Sequence, residues 1–485
     1  MKSKKFLIAL PALFAAISMT ACGGGDEGGS SGGGTISDIP TYEMPDAPAG
    51  SGEITVWVGE ESVEFYQTAA NEWVSQMHAD NDQFNWTVTV SDFDSGGAAA
   101  KLELDNTTCA DIVTVAHDNI GKLAQKKLIK PFNSKGLYEQ VEADNTKSFY
   151  EVAHSVVDNE RAIYGVPYIA QSLFLMYDKR YVSEEQAKTF EGLSEAAAAR
   201  GDSTKAIELT GDDGFNFSFT LLAVKESDKS TTMEIYKDGD RSECWAQGED
   251  SVANLQWARR YHADPHGMKL KPSTNGWATD VKMGGCLGII SGAWKYKEFS
   301  SAIGATNVGV APIPTYTLTE DDVAGTEIEA GTVMRGGTFA DFKALLINSA
   351  SAGNKYVAEQ SLVKFLSKKD IQNRSLMAAD NLPSYDGAAA YIEQHKDELG
   401  VQKYQLAKAQ TTMFSYGRPQ PFITGILNYC YYQSGAPGLY AMCVENAEGD
   451  MGTTRAAREI LYRMQYIWEN AKDPQSAPAT LPAQI

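Results

Sequence analysis

The sequence predicts an α/β protein built as two lobes, and three observations carry that expectation. Short β-branched runs alternate with helical stretches, the pattern of largely parallel sheets with helices on their faces. The folded part begins near Gly52 of a 485-residue chain, which is too much for one compact core. No repeat of solenoid or propeller length recurs along it.

The elements follow in order. Glu53 to Val58 (EITVWV) is β-rich and is stopped by Gly59. Glu60 to Ala79 then carries Phe65, Ala69, Trp73 and Met77 at helical spacing. Trp86 to Val90 alternates and reads as a second strand, and Asp111 to Val115 as a third. A helix through Ile120, Leu123 and Leu128 follows. Leu173 to Tyr177 is an apolar strand, Phe217 to Val224 a buried helix, and Ser251 to His262 an amphipathic one. Cys286 to Ile290 and Phe342 to Ile347 read as strands, Asn354 to Leu366 as a helix. Thr454 to Ala471 is the last strong helix, with Ile460, Met464 and Trp468 on one face.

The first twenty-two residues place the chain outside the cytoplasm. Lys2, Lys4 and Lys5 precede an apolar run from Phe6 to Ile17 that is too short to span a bilayer and contains Pro11. Met19-Thr-Ala-Cys22 then matches a bacterial lipoprotein signal, with Cys22 lipidated and becoming the mature N-terminus. Residues 22–51 are rich in Gly, Ser and Pro and cannot bury apolar area, so they read as a tether. No later segment offers the apolar length of a membrane-spanning helix.

The formal net charge is −21, and removing the three signal lysines makes it −24. A body this acidic repels nucleic acid and anionic lipid surfaces, which excludes both as partners of the folded part. Five cysteines remain after Cys22: Cys109, Cys244, Cys286, Cys430 and Cys443. None has zinc-ligand spacing, and the sequence carries no metal or cofactor motif. Outside the membrane disulfides are permitted, and Cys430 with Cys443 or Cys244 with Cys286 are candidates.

Four stretches resemble the extracellular solute-binding proteins of carbohydrate ABC transporters, the family that contains maltose-binding protein. They are Ile54-Thr-Val-Trp57, Asp111 to Gln125 (DIVTVAHDNIGKLAQ), Val166 to Lys179 (VPYIAQSLFLMYDK) and Gly288 to Trp294 (GIISGAW), in the family's order. The resemblance implies a type II periplasmic-binding-protein-like fold, with the ligand held in a cleft between hinge-linked lobes. The expected division is 52–170 plus 318–370 for lobe one and 171–317 plus 371–475 for lobe two, with 476–485 as a C-terminal tail. The implied hinge crossings lie near Ile169 to Phe174, Pro314 to Thr317 and Lys369 to Pro383. The implied partners are a small neutral sugar and the membrane-spanning subunits of an ABC permease. The expected assembly is a monomer.

Sugars need planar amides or carboxylates for their hydroxyls and flat aromatics for their C–H faces. The resemblance places such groups at strand ends. Glu60 and Glu61 follow the first strand, where the family's maltose binder has an Asp-Lys pair; they equally suit the positive N-terminus of the next helix. Asp118 aligns with a family aspartate that accepts sugar hydroxyls, or serves as a helix cap. Its neighbour Asn119 replaces a family arginine, and Val115 a tryptophan. Gln171 falls at the hinge in place of a glutamate, and Trp294 aligns with a sugar-stacking tryptophan. Asp213 and Phe215 lie near a family acid and tyrosine. Tyr416 and Arg418 sit in a proline-pinned loop from which the family brings a further aromatic.

Two other functions compete with a sugar receptor. A surface polysaccharide hydrolase needs a spaced pair of carboxylates, but no acid pair here has such a context. Gly-x-Ser-x-Gly and His-Glu-x-x-His are also missing from the sequence. The same fold tuned to a polyamine or peptide would use the acids Glu60, Glu61, Asp118 and Asp213 against a cation. The aromatics and Gln171 favour a neutral sugar.

Overall fold

The computed structural model describes residues 36–201, 203–210, 214–227, 236–237, 240–244, 249–271 and 276–418. Cys22, Asp213, Cys430, Cys443 and the helix expected over 454–471 lie outside them, as do the side chains of Phe215, Cys244 and Arg418.

The strands and helices that position the site are numbered here in chain order. They begin with β1 (Gly50–Val58), α1 (Val63–Asp80), β2 (Phe84–Asp92), α2 (Ser95–Asp105) and β3 (Ile112–Ala116). Then come β4 (Val166–Ser172), β5 (Phe174–Asp178), β6 (Lys205–Thr210), β7 (Met268–Lys271) and β8 (Cys286–Ser291). They end with α3 (Tyr296–Ile303), β9 (Val308–Ala311), β10 (Thr338–Asn348), α4 (Gly353–Leu366) and α5 (Lys396–Phe414).

Two sheets each carry a separate core. In the first, β1 runs parallel to β2 and β3, while β10 runs antiparallel to both β3 and β4. In the second, β6 runs parallel to β7 and β8, and β5 lies antiparallel between β8 and β9. Helices cover the sheets for the reason the sequence pattern gives. On α1 the residues Tyr66, Ala69, Ala70, Trp73 and Met77 are buried at helical spacing. Tyr66 rather than Phe65 begins that stripe, and the Trp73 indole N–H donates to Ser361 Oγ on α4 at 3.1 Å. In the second core Trp257 stacks on Tyr316 with ring centroids 3.7 Å apart. The apolar residues of the two cores are what water exclusion acts on, and each sheet buries one set.

Among the described residues the chain passes between the cores at three places. Ala170 packs in the first core and Leu173 in the second, so β4 hands over to β5 at Gln171 and Ser172. Phe339 packs in the second core and Phe342 in the first, so β10 crosses at Ala340 and Asp341. Helix α5 lies against both, with Leu406, Ala409 and Met413 on one side and Leu399 and Ala407 on the other.

Two segments pack differently from the expected division. Leu318, Val323, Met334 and Phe339 join the second core, because the strand Thr315–Thr317 pairs back on Val333–Arg335 as a hairpin instead of crossing. Ile371, Leu376, Leu382 and Ile392 join the first core, so the chain stays in that lobe until α5. The Cys244–Cys286 pairing is also not made. Cys286 is a buried free thiol that donates to the Gly288 carbonyl at 3.1 Å, and Cys109 is free as well.

Candidate functional site

Strand direction decides where loops converge. Parallel pairing of β1 with β2 brings Val58 beside Asp92, and antiparallel pairing of β3 with β10 brings Ala116 beside Lys343. Gln171 of β4 lies opposite Asp341 on the same half of β10. The carboxyl ends of β1, β3 and β4 therefore share one edge, and that edge adjoins the crossing. In the second lobe Thr210 pairs with Lys271, and Ser291 with Phe174, the first residue of β5 and two positions past the crossing. The carboxyl ends of β6, β7 and β8 thus share the edge next to the same crossing. Ligands of open α/β sheets bind outside such ends.

Loops from the two edges meet. Glu60 opens a short 3-10 turn after β1, and Lys297 lies in the first turn of α3 after β8. Lys297 Nζ is 3.3 Å from Glu60 Oε1. Glu61 is exposed beside it, with its carboxylate folded over Gly59.

Asp118 and Asn119 fall in a 3-10 turn that continues β3 into a short helix. Asn119 Nδ2 donates to Asp118 Oδ1 at 3.0 Å. The capping reading of Asp118 does not fit, since the cap positions are Ala116 and Asn119 and neither carries a side-chain cap bond. Burial pushes the Asp118 carboxyl up to about 6, against the pull of backbone N–H groups, Lys122 and Asn119.

Behind Asp118 and Gln171 lie two groups that the sequence reading did not single out. His117 is fully buried and Asp341 is 2% exposed, with His117 Nδ1 3.4 Å from Asp341 Oδ2. Burial holds the Asp341 carboxyl well above its ordinary range, and the nearby Asp118 charge adds to that. The Gln171 side chain, 9% exposed, hydrogen-bonds toward it and opposes the rise. A signal for Asp341 existed. It is an acid inside the apolar strand TFADFKALLIN, one residue before the segment read as the strand.

Trp294 lies in a 3-10 turn directly after β8 and is 42% exposed. Its ring covers Gly292 so closely that a Cβ there would stand 1.9 Å from Trp294 Cζ3, so only glycine fits beneath it. Most of the described tryptophans are core, Trp73, Trp86, Trp257 and Trp277 among them, and an exposed one at a strand end stands apart.

Tyr416 is placed differently from these. It is 4% exposed in the second core, its hydroxyl donates to Glu226 Oε1 at 3.4 Å, and the Arg335 guanidinium lies over its ring. Arg418 contributes backbone to a two-residue strand beside the start of β10. Phe215 lies in the first turn of the helix Gly214–Leu221, which follows β6. The structure brings Glu60, Glu61, Asp118, Asn119, Gln171 and Trp294 to the facing strand ends, and leaves Tyr416 in the core. Among the described residues no group of three or more His, Cys, Asp or Glu is placed to hold a metal ion.

Comparison with known proteins agrees with this architecture. The chain is 26% identical to the maltodextrin-binding protein MdxE of Bacillus subtilis over 217 residues, covering 42% of this chain and 48% of that protein. It is 25% identical to a maltotriose-binding protein of Pyrococcus abyssi over 152 residues, 31% of each chain. The chain thus spans about half or less of the length of these relatives. Among solved structures it matches the maltodextrin-binding protein MalE1 of L. casei at a TM-score of 0.63, 19% identity, 87% of this chain and 99% of that one. The Thermus thermophilus maltotriose-binding protein matches at 0.60, again with 19% identity, over 87% of this chain and all of the other. These structures establish the two-lobed binding-protein fold. The sequence profile of the bacterial extracellular solute-binding proteins matches residues 72–407, and the chain belongs to that family, whose members carry solutes outside the cytoplasm and are not enzymes.

Proposed function

We propose that this protein is the receptor of an ABC importer for a neutral oligosaccharide of the maltodextrin type. The observation that carries the reading is the exposed Trp294 face on one lobe, across the crossing strands from the Asp118 carboxyl and Gln171 amide of the other. An aromatic face with opposed planar polar groups is what a sugar ring requires. The named ligands of the relatives, maltodextrin and maltotriose, point to the same class. Glu60, Glu61 and Asn119 are assigned to the rim of the first lobe, and Asp213 and Phe215, which follow β6 in sequence, to the second. Ligand capture closes the lobes about the Gln171 and Asp341 crossings, and a permease reads the closed form. Cys22 carries the lipid, and residues 22–51 let the body turn near the membrane surface.

The test is thermal unfolding of the full mature chain with and without maltotriose, maltose, spermidine and a tripeptide. A ligand at 100 times its dissociation constant adds about 2.7 kcal/mol of stability. A shift with maltotriose supports the reading. A shift with spermidine alone would replace the sugar with a cation, and silence with all four would remove the sugar class.

A further inference from the structure

We propose that residues 37–49 are a fixed strap of the first lobe, so that an anchor ahead of them holds that lobe alone and the second lobe carries the closing motion. The consequence for the membrane rests on Cys22 being the lipidated residue; the strap itself does not.

By composition this segment belongs to the tether, with Pro40, Pro45 and Pro48 interrupting any regular pattern. In the fold it is docked along its length. Ser37 and Asp38 pair in parallel with Glu160 and Arg161, at the edge of a ribbon in which residues 160–163 run antiparallel to 154–157. The Ser37 N–H donates to the Asn159 carbonyl at 3.1 Å, and that of Ile39 to the Arg161 carbonyl at 3.0 Å. Tyr42 is held by both of its backbone groups just ahead of the helix Lys135–Asp144. Its N–H donates to the Asn133 carbonyl at 2.8 Å, and its carbonyl accepts from the Lys135 N–H at 2.9 Å. Further on, side chains take over. The Asp46 carbonyl accepts from Ser361 Oγ at 2.5 Å, that of Ala47 from Asn81 Nδ2 at 2.8 Å, and that of Ala49 from Asn354 Nδ2 at 2.8 Å. A segment bonded through its carbonyls has no ladder that needs the N–H a proline lacks, so the prolines suit this path.

Packing and charge act in the same sense. Ile39 and Ala47 lie against the first core, and Pro48 is buried. Acids of the strap meet bases of the lobe: Asp38 with Arg161 at 3.6 Å, Glu43 with Lys135 at 2.7 Å, and Asp46 with Lys364 at 3.1 Å. Such exposed pairs are individually weak, and the backbone bonds carry the docking. Each of these partners belongs to the first lobe. Asn81 ends α1, Asn354, Ser361 and Lys364 lie on α4, and Leu137 and Ile163, beside the other contacts, pack in the first core. With a lipid on Cys22 the membrane therefore holds the first lobe. The turning segment narrows to residues 23–36, with an r.m.s. reach of about 20 Å in place of about 30 Å.

Limited digestion of the full mature chain with a glutamate-specific protease tests the strap against an internal control. Glu27 lies in the Gly/Ser-rich stretch and Glu43 in the strap, where its side chain is 80% exposed and only the pinned backbone resists cleavage. Cutting after Glu27 is expected to be at least about tenfold faster than after Glu43, and comparable rates overturn the proposal. Amide hydrogen exchange is the second readout and decides alone if neither site is cut. The Ile39 and Tyr42 amides are expected to exchange at least about tenfold slower than in an unstructured peptide, and peptide-like rates overturn the strap. Saturating maltotriose should change both rates by less than about twofold, because the strap's partners lie in one lobe; a tenfold change would make the strap a bridge between lobes and overturn the assignment. A chain that does not bind maltotriose counts against the sugar reading, and the unliganded rates then decide the strap. The mass of the fragment released at Glu27 reports the lipid on Cys22, so failure of the anchor is seen separately from failure of the strap.

Discussion

Glu60 and Lys297 join the two lobes by an ion pair, Oε1 to Nζ at 3.3 Å, although 237 residues separate them along the chain. Both side chains are about four-fifths exposed, so water and salt weaken the attraction. The pair matters for its position. It links the loop after β1 to the helix that follows Trp294, and so it ties the facing loops of the two lobes together without adding to either core.

Lys297→Ala should therefore leave the melting temperature of the unliganded protein within about 1 °C of wild type, as expected of an exposed pair. Maltotriose affinity should fall by about twofold in low salt, and the difference should vanish in 0.5 M salt (about 4 Å Debye length). Isothermal titration at the two salt concentrations checks both. A loss that persists in high salt would give Lys297 a direct ligand contact.

Trp294→Ala should weaken maltotriose binding by at least about tenfold while costing little stability, because a 42% exposed side chain leaves no cavity. Trp257→Ala is the contrast. Buried at 1% and stacked on Tyr316, it should cost about 3–5 kcal/mol in denaturant unfolding. Gly292→Ala should act like Trp294→Ala on binding, since its Cβ displaces the ring. Large destabilisation in Trp294→Ala would assign that ring to the core.

If Asp118 accepts ligand hydroxyls as proposed, it should give the affinity a pH dependence. Its carboxyl titrates at about 6 in the free protein, and the ionised form is the better acceptor for ligand hydroxyls. Affinity should be full above about pH 6 and fall by about tenfold per unit below it. Stability of the free protein moves the other way. A carboxyl raised above its unfolded value holds its proton in the fold, so its contribution declines as pH rises from about 4 to about 6. Titrations of wild type and Asp118→Asn from pH 5 to 8 check this, and a flat wild-type profile would remove Asp118 from ligand contact.

Glu359, fully buried on α4, accepts from Ser351 Oγ at 2.8 Å, and burial pushes its carboxyl up to about 8. The unfolded chain releases that proton near its ordinary value, so stability is lost as pH rises from about 4.5 toward 8. Glu359→Gln keeps one acceptor and removes the charge. It should raise stability by about 1–3 kcal/mol at pH 8 and by almost nothing at pH 4, measured by denaturant unfolding.

Much of the site was legible because its loops follow short, strongly patterned strands. ITVWV runs into Gly59 and then Glu60, DIVTVA runs into His117 and Asp118, and GIIS runs into Gly292 and Trp294. A strand end is a local property, and so is a polar or aromatic residue placed just beyond it. Trp294 and Trp257 are alike in type, but a strand precedes one and a helical stripe contains the other. Asp341 and His117 were not legible as a pair, because 224 positions separate them and each sits in an apolar context of its own. Tyr416 and Pro314 to Thr317 show the other failure. A proline-marked turn reads the same whether the chain then crosses to another lobe or folds back as a hairpin.

The sequence by itself determined the α/β class, the acidic charge and the strand-end residues, all of which follow from periodicity and composition within short windows. Only the tertiary structure decided where the chain changes lobes, that Lys297 reaches Glu60, and that Asp341 lies behind Gln171 with His117. Those relations depend on strand register. Shifting β10 by a single residue would turn Asp341 to the opposite face, and no local pattern records which register the distant strands adopt.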